Sequence, residues 1–244
     1  MPKSRRKRKT KKTPKSPLEI THKSLLEITP KSPLEIIDTY FKQVTITYTL
    51  PSTLICKINC SIDTDSSKFK LYEDEMYIDN LSKCGHITGK SILDGMMHIA
   101  QDLNLRRVEL YDISSIERCD SYYSLAHFYI LLTGESWYNK FGFISSTHRE
   151  NVDYNQEIRT LSLEEFLLRS NSDLDVDEFL FTFQVNLTDS VHHIIRHLYD
   201  YIQTTRLCED TMMLISSLIH SSERLLEYNK DLVLEPIQSY PFTT

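Results

Sequence analysis

The chain has 244 residues, 40% of them hydrophobic and 25% charged, and a formal net charge of -6. These values are typical of a soluble globular protein with one large domain, or one domain and a small appendage. No apolar run approaches the roughly 20 residues that a bilayer-spanning helix needs, and no apolar segment follows the basic N-terminus to form a secretory signal. We therefore expect an intracellular protein, nuclear or cytoplasmic, without a membrane partner.

Residues 3–12 form a basic tail with eight Lys or Arg residues and no acid, so the rest of the chain is acidic. Such a tail cannot bury apolar surface, which indicates disorder. It favours either a nuclear-import signal read by an import receptor or nonspecific contact with nucleic acid through counterion release. A solvated tail without a partner is the alternative. The acidic body argues against a nucleic-acid-binding domain.

Residues 13–36 hold an eight-residue repeat, present three times, in which each copy ends in Leu-Glu-Ile. Prolines in the first and third copies oppose a continuous helix and favour extended backbone. We interpret the segment as a linker produced by slipped replication. The alternatives are Ser-Pro phosphorylation sites at Ser16 and Ser32, or a docking motif in several copies.

The folded body begins near Tyr40, and alternating apolar and polar residues predict its strands. The predicted strands cover residues 43–50, 53–60, 69–73, 76–81 and 106–112. Between the last two, an amphipathic helix starts near Ser91, with Ile92, Met96 and Ile99 on one face. A helix that connects two neighbouring strands predicts a parallel pair with a right-handed crossover.

The second half of the chain is predicted to be mainly helical. Residues 122–132 are apolar on all sides, which predicts a buried helix that ends with Gly134 in the left-handed conformation. Further helical segments are predicted at 161–168 and 176–185, from 186 onward and at 212–228. A strand is the alternative at 176–185, because Phe residues alternate there. The last two helices are expected to pair as an antiparallel hairpin.

These patterns divide the chain into four segments. They are a disordered basic tail with repeats (1–39), a core (40–160), a helical extension (161–235) and a loose tail (236–244). The predicted fold class is α/β, of the α+β kind, with a mixed central sheet flanked by helices.

The turn at 82–91 suits an anion, because it directs backbone N–H groups and a helix N-terminus at one place. It ends in Gly-Lys-Ser, as a P-loop does. However, three residues separate Gly85 from Gly89 where a P-loop has four. We therefore do not expect nucleotide hydrolysis.

Metal chemistry is not indicated. His192, His193 and His197 cluster opposite an apolar helix face, with no Glu in the His-Glu-x-x-His arrangement. The five cysteines are scattered without a Cys-x-x-Cys pair, which is typical of buried thiols in a reducing compartment. His127 lies on the predicted buried helix and is interpreted as a core histidine.

Residues 138–143 read Tyr-Asn-Lys-Phe-Gly-Phe and follow a strand, a glycine-containing turn, a helix, a strand and a helix. This order and this motif resemble the core of the GNAT family of N-acetyltransferases, which carries Tyr-x-Lys-x-Gly-Phe at the end of a later helix. Residues 133–139 are similar to GNAT-like proteins of large DNA viruses. At the three signature positions of the family's turn stand Cys84, Ile87 and Gly89, of which only Gly89 matches.

The resemblance implies roles for particular residues. An amine would attack the thioester carbonyl of acetyl-CoA, and Asp79 or Glu109 would accept its proton. The backbone near Asn80 would stabilise the oxyanion, and Tyr138 would protonate the leaving thiolate. Core packing is the alternative role of Tyr138. The implied cofactor-binding residues, which surround the turn, are Asn80, Leu81, Gly85, Thr88, Gly89, Lys90 and Ser91.

Two functions follow from these observations. The first is an acyl-CoA-dependent N-acyltransferase with a GNAT-like core, which uses acetyl-CoA and no metal and acts on an amine. The alternative is a catalytically inactive GNAT-like binding or scaffold protein with a nuclear-targeting tail.

Overall fold

The computed structural model describes residues 44–50, 53–58, 67–81, 88–119, 121–205 and 209–242. The basic tail, the repeats and Gly85 lie outside these residues. The described part is an α+β fold with a six-stranded mixed sheet, a two-stranded sheet and seven α-helices.

The large sheet is built mainly from the first half of the chain. Its strands are β1 (Val44–Leu50), β2 (Thr53–Ile58), β3 (Ser67–Leu71), β4 (Glu75–Asn80), β5 (Arg107–Tyr111) and β8 (Asp231–Leu234). They lie in the order β1-β2-β3-β4-β5-β8. Only β4 and β5 are parallel, and every other neighbouring pair is antiparallel. The predicted parallel pair is therefore confirmed.

Helix α1 (Gly89–Asp102) connects β4 to β5 and covers one face of the sheet. Its apolar residues recur at helical spacing and are fully buried, as the sequence predicted. They pack against Met76 and Ile78 of β4 and Val108 and Leu110 of β5 in the first hydrophobic cluster. That cluster fixes the position of α1 on the two parallel strands.

The remaining helices form a second hydrophobic cluster. They are α2 (Leu125–Thr133), α3 (His148–Thr160), α4 (Leu163–Ser170), α5 (Val176–Phe183), α6 (Val191–Thr204) and α7 (Glu209–Ser222). A small hairpin of β6 (Ser115–Arg118) and β7 (Ser121–Ser124) precedes α2 and packs against α7. Helices α6 and α7 both pack on α2. The prediction that these two helices pair mainly with each other is therefore wrong, because α6 packs mainly on α2 and α7 mainly on β7.

Two further segments differ from the sequence-based prediction. Within 176–185, where a strand was the alternative, Val176–Phe183 form helix α5, with Phe179 and Phe183 buried one turn apart and Phe181 exposed. Strand β8 was not predicted, because it comprises only four residues. The segment after it was expected to be a loose tail, yet Ile237 and Tyr240 are buried in the first cluster.

Helix α2 ends with Gly134 in the left-handed conformation (φ 99°), as predicted, and Arg159 of α3 completes this end. Arg159 donates from Nε to the Leu131 carbonyl at 3.0 Å and from Nη2 to the Leu132 carbonyl at 3.1 Å. The buried guanidinium thereby satisfies carbonyls that the helix itself cannot pair.

Replacement of Arg159 by Met is expected to lower the free energy of unfolding by about 2 kcal/mol, because two buried carbonyls lose charge-assisted hydrogen bonds. Chemical denaturation measures the change. Arg169→Met is the matched control, since Arg169 forms only exposed ion pairs with Glu157 and Glu165 and should change stability by less than about 0.5 kcal/mol. Equal stabilities of the two variants would contradict the capping role.

Candidate functional site

The carboxyl ends of β4 and β5 form the first part of the candidate site. The parallel ladder between the two strands ends at the pair Ile78–Leu110. β4 continues to Asn80 and β5 to Tyr111, with no further pair between these strands in the described residues. The two strands are therefore no longer bonded to each other at this edge of the sheet.

A β-bulge in β4 lies at the same edge. On its other side β4 pairs with β3, and the register shifts between the pairs Phe69–Ile78 and Lys68–Asn80. Asp79 is thus the extra residue of β4. A bulge leaves its extra residue outside the regular ladder and bends the strand. The backbone of β4 at Asp79 is consequently outside the regular pairing with β3 and with β5.

The start of α1 is the third part of the site. Thr88 is the N-cap, and its Oγ1 accepts a hydrogen bond from the Ser91 amide at 3.1 Å. The first amides of a helix have no acceptor within the helix, and the helix dipole is positive there. A Cβ atom built on Gly89 would meet only Leu81, at 3.9 Å, among the described atoms. Among the described atoms, therefore, no side chain closes off the space beside Gly89.

Lys90, in the first turn of α1, and Lys140 lie over the same aromatic ring, that of Phe141. Lys90 Nζ is 5.4 Å and Lys140 Nζ is 5.2 Å from the ring centroid of Phe141. The Lys140 ammonium also lies 5.1 Å from the centroid of the Trp137 ring. Burial and, after it, the charge of Lys90 lower the pKa of Lys140 from its ordinary value. Two like charges so close together favour the binding of an anion.

Asp94 balances part of this charge. It lies one turn after Lys90 on α1, and its carboxylate accepts a hydrogen bond from the Lys90 ammonium at 2.7 Å. The hydroxyl of Tyr240 donates to the same carboxylate at 2.7 Å. The C-terminal segment is thereby attached to the first turns of α1.

Tyr138 precedes a 3₁₀ turn (Asn139–Phe141) and is buried in the first cluster, 6% exposed. Its ring packs edge-to-face against Trp137 at 4.9 Å and against Phe143 at 6.1 Å between centroids. Burial, and secondly the charge of Asp112, raise the pKa of the Tyr138 phenol well above its usual range. The phenol is therefore neutral and remains a hydrogen-bond donor.

Asp112 follows β5 directly and is a buried carboxylate, 2% exposed. One oxygen accepts from the Ser114 amide at 3.0 Å and from the Ser114 hydroxyl, and the other accepts from the Tyr228 hydroxyl. Burial and the charge of Asp112 raise the pKa of Tyr228 as well. Neither Asp112 nor Tyr228 has a predicted role in the site; the one signal in the sequence is an acidic residue at the end of an apolar strand.

Asp79 and Glu109, the two predicted acceptors of the amine proton, lie on the face of the sheet opposite α1. Asp79 is bound by Lys70 at 2.8 Å and by Lys68 at 3.2 Å. Glu109 pairs with Arg107 at 2.7 Å. The buried residues of β4 and β5 face α1, and the alternation of side chains in a strand directs these carboxylates away from it. The structure therefore does not bring either carboxylate together with Tyr138.

Only some of the predicted cofactor-binding residues lie together in the structure. Thr88, Gly89, Lys90 and Ser91 form the start of α1. Leu81 packs against the first cluster, and the backbone of Asn80 ends β4. Gly85 lies outside the described residues.

The histidines take the places that the sequence indicated. Nδ1 of the buried His127 lies 2.7 Å from the Ser124 hydroxyl, and burial lowers the pKa of this histidine. His193 and His197 are exposed on α6. Within the described ranges, no group of three His, Cys, Asp or Glu residues could hold a metal ion.

Comparisons with protein-family models, with curated proteins and with solved structures gave no match. Among the described residues, no helix is both long and apolar enough to span a bilayer.

Proposed function

We propose that this protein is an acyl-CoA-dependent N-acyltransferase with a GNAT-like core, which transfers an acetyl group from acetyl-CoA to an amine. The observation that carries the proposal is the bulge of β4 at Asp79, at the point where the β4–β5 ladder ends. Attack on a thioester passes through a tetrahedral oxyanion, and a backbone N–H outside the ladder is a suitable donor to it. The space between the separated strand ends would receive the thioester.

The start of α1 supports the same proposal from the phosphate end of the cofactor. Coenzyme A carries a pyrophosphate, and a helix N-terminus with Lys90 and Lys140 beside it is a favourable environment for such a group. In the sequence, ten positions separate Asp79 at the bulge from Gly89, the first residue of α1. The thioester end and the phosphate end of one ligand could therefore be bound by β4 and α1 together.

Tyr138 is the candidate general acid of the reaction. As the amine forms its bond to the carbonyl carbon and the C–S bond breaks, the Tyr138 hydroxyl would give its proton to the thiolate. Burial and the charge of Asp112 raise the pKa of this phenol and make it a weaker acid than a free tyrosine, which favours the second candidate function below. Asp79 and Glu109 lie in ion pairs on the opposite face of the sheet, so the amine proton would pass to solvent water.

A catalytically inactive GNAT-like binding or scaffold protein is the second candidate. The observations that favour it are the burial of Tyr138 and the ion pairs that occupy Asp79 and Glu109. In this case residues 3–12 would supply localisation through an import receptor or contact with nucleic acid.

Coenzyme A and acetyl-CoA are expected to bind with measurable heat, and Lys140→Gln should weaken both affinities by about tenfold, because one charge-assisted contact to phosphate is lost. Isothermal titration calorimetry measures the two dissociation constants. Arg169→Gln, which removes an exposed charge on α4, is the control and should leave them unchanged. Absence of heat with both ligands at millimolar concentration would refute the acyltransferase proposal and leave the scaffold candidate.

A further inference from the structure

A second site lies in the helical part of the molecule, between β7 and α7. It is a cleft of about 370 Å³, which is within the range of small-molecule sites and far more than one water molecule occupies. One wall carries Tyr122, and the other carries Ser216, Ser217, His220 and Ser221 of α7. Arg224 lies in the turn after α7. None of these residues belongs to the acyltransferase site.

Ser216 provides the strongest sign that the cleft binds a ligand. Its side chain is buried, 8% exposed, and its hydroxyl has no hydrogen-bond partner among the described atoms. Two other serines of α7 behave differently: the Ser221 hydroxyl donates to the Ser217 carbonyl at 2.8 Å, and that of Ser222 to the Ile219 carbonyl at 2.6 Å. A buried hydroxyl left unpaired is costly, and Ser216 is one of the residues that line the cleft, where rotation of its side chain would present the hydroxyl to a ligand.

His220 is held in one orientation beside this hydroxyl. Its Nδ1 lies 3.0 Å from the Ser216 carbonyl. A carbonyl can only accept, so Nδ1 carries the hydrogen. The ring also packs edge-to-face on Tyr122, with centroids 5.5 Å apart. The ring of His220, which lines the cleft, is thereby fixed in orientation.

Arg224 brings a positive charge whose position is also fixed. Its Nη1 donates to the Ser170 carbonyl at 3.0 Å and to the Asn171 carbonyl at 2.5 Å. Its Nη2 lies 3.7 Å from Asp173, whose side chain is 93% exposed. Such an exposed pair is weak, so a ligand can replace the Asp173 carboxylate. A guanidinium anchored on one side presents its other N–H donors to an oxyanion.

We propose that this cleft binds a small phosphorylated molecule, whose phosphate group lies between Arg224 and the Ser216 hydroxyl. A phosphate has more acceptor oxygens than a carboxylate, which suits a guanidinium on one side and the Ser216 hydroxyl on another. The remaining volume and the half-exposed Tyr122 ring accommodate the rest of the ligand. This inference is independent of the acyltransferase proposal, because the two sites share no residue.

The test is an NMR titration of the full chain with inorganic phosphate and, separately, with phosphoserine at constant ionic strength. Saturable shifts are expected at the amides of Ser216, Ser217 and Arg224. Arg224→Gln should weaken binding by at least about tenfold and Ser216→Ala by about fivefold, as expected for one charged and one neutral hydrogen bond. Arg169→Gln is the matched control and should leave the affinity unchanged.

Ser216→Ala is also a variant that should fold normally, because it removes only a hydroxyl that forms no hydrogen bond with the described protein atoms. Unchanged affinity in both cleft variants would overturn the proposal. So would shifts confined to residues 88–91, which would assign phosphate to the start of α1 instead. Acetate that binds as tightly as phosphate, or a neutral polyol that binds while phosphate does not, would equally overturn it.

Discussion

Replacement of Tyr138 by Phe is expected to lower the rate of acetyl transfer by about 100-fold, at the low end of the range for general acid catalysis. The substitution removes one hydroxyl from a ring that is packed between Trp137 and Phe143, so the fold should be retained. The measurement is kcat with acetyl-CoA and an acceptor amine identified by screening. KM for acetyl-CoA should change little, because the hydroxyl acts mainly as the C–S bond breaks.

Tyr123→Phe is the matched control for this experiment. Tyr123 is buried to a similar extent but belongs to the helical cluster, so its substitution should leave kcat within about twofold, as expected for a residue remote from the reaction. If Tyr138→Phe retained the full kcat while binding acetyl-CoA normally, Tyr138 would be a packing residue and another group would protonate the thiolate.

Asp112→Ala is expected to have the largest effect on stability, a loss of about 4 kcal/mol in the free energy of unfolding, because several hydrogen bonds to a buried carboxylate disappear together. The variant leaves the Tyr228 hydroxyl and the Ser114 groups without their acceptor. Asp112→Asn, which keeps the shape and one oxygen, should lose about half as much. Urea denaturation measures both, with Asp153→Asn on the exposed side of α3 as the control.

The same variants should change the titration of the tyrosines. In the folded protein, burial and secondly the charge of Asp112 raise the pKa values of Tyr138 and Tyr228. In the unfolded chain both tyrosines have a pKa of about 10. The stability that these phenols contribute is therefore complete below that pH and is lost as the pH rises above it. Without the Asp112 charge the folded pKa values fall, so the loss at alkaline pH becomes smaller. If the folded variants and the wild type had the same tyrosinate absorbance at every pH, the effect of the Asp112 charge on these tyrosines would be contradicted.

Regular patterns in the sequence predicted the sheet well. Strands β1 to β5 and helix α1 lie within a few residues of their predicted ranges, because the apolar residues of each recur in the sequence with one clear period. Helix α5 shows how such a pattern can mislead. Phe179 and Phe183 are buried at helical spacing, but Phe181 is 85% exposed, and this one exposed aromatic residue created the apparent alternation of a strand.

The site was less predictable, because its groups meet only through tertiary structure. The helix start at Thr88 to Ser91 follows from local signals, a capping residue and a glycine. The contact of Tyr228 with Asp112 joins residues 116 positions apart, and no local pattern encodes it. The lysines that form ion pairs with Asp79 lie on the neighbouring strand, so these pairs depend on the register of β3 with β4.

The position of β8 has a consequence for how the protein reaches its native state. β8 pairs with β5, yet all six helices of the second cluster lie between these strands in the sequence. During synthesis on the ribosome, β5 therefore has an unpaired edge until residues 231–234 emerge. Closure of so long a loop makes folding slow, and an open strand edge invites association with other nascent chains. The requirement for chaperones should consequently be concentrated in the last stage of translation.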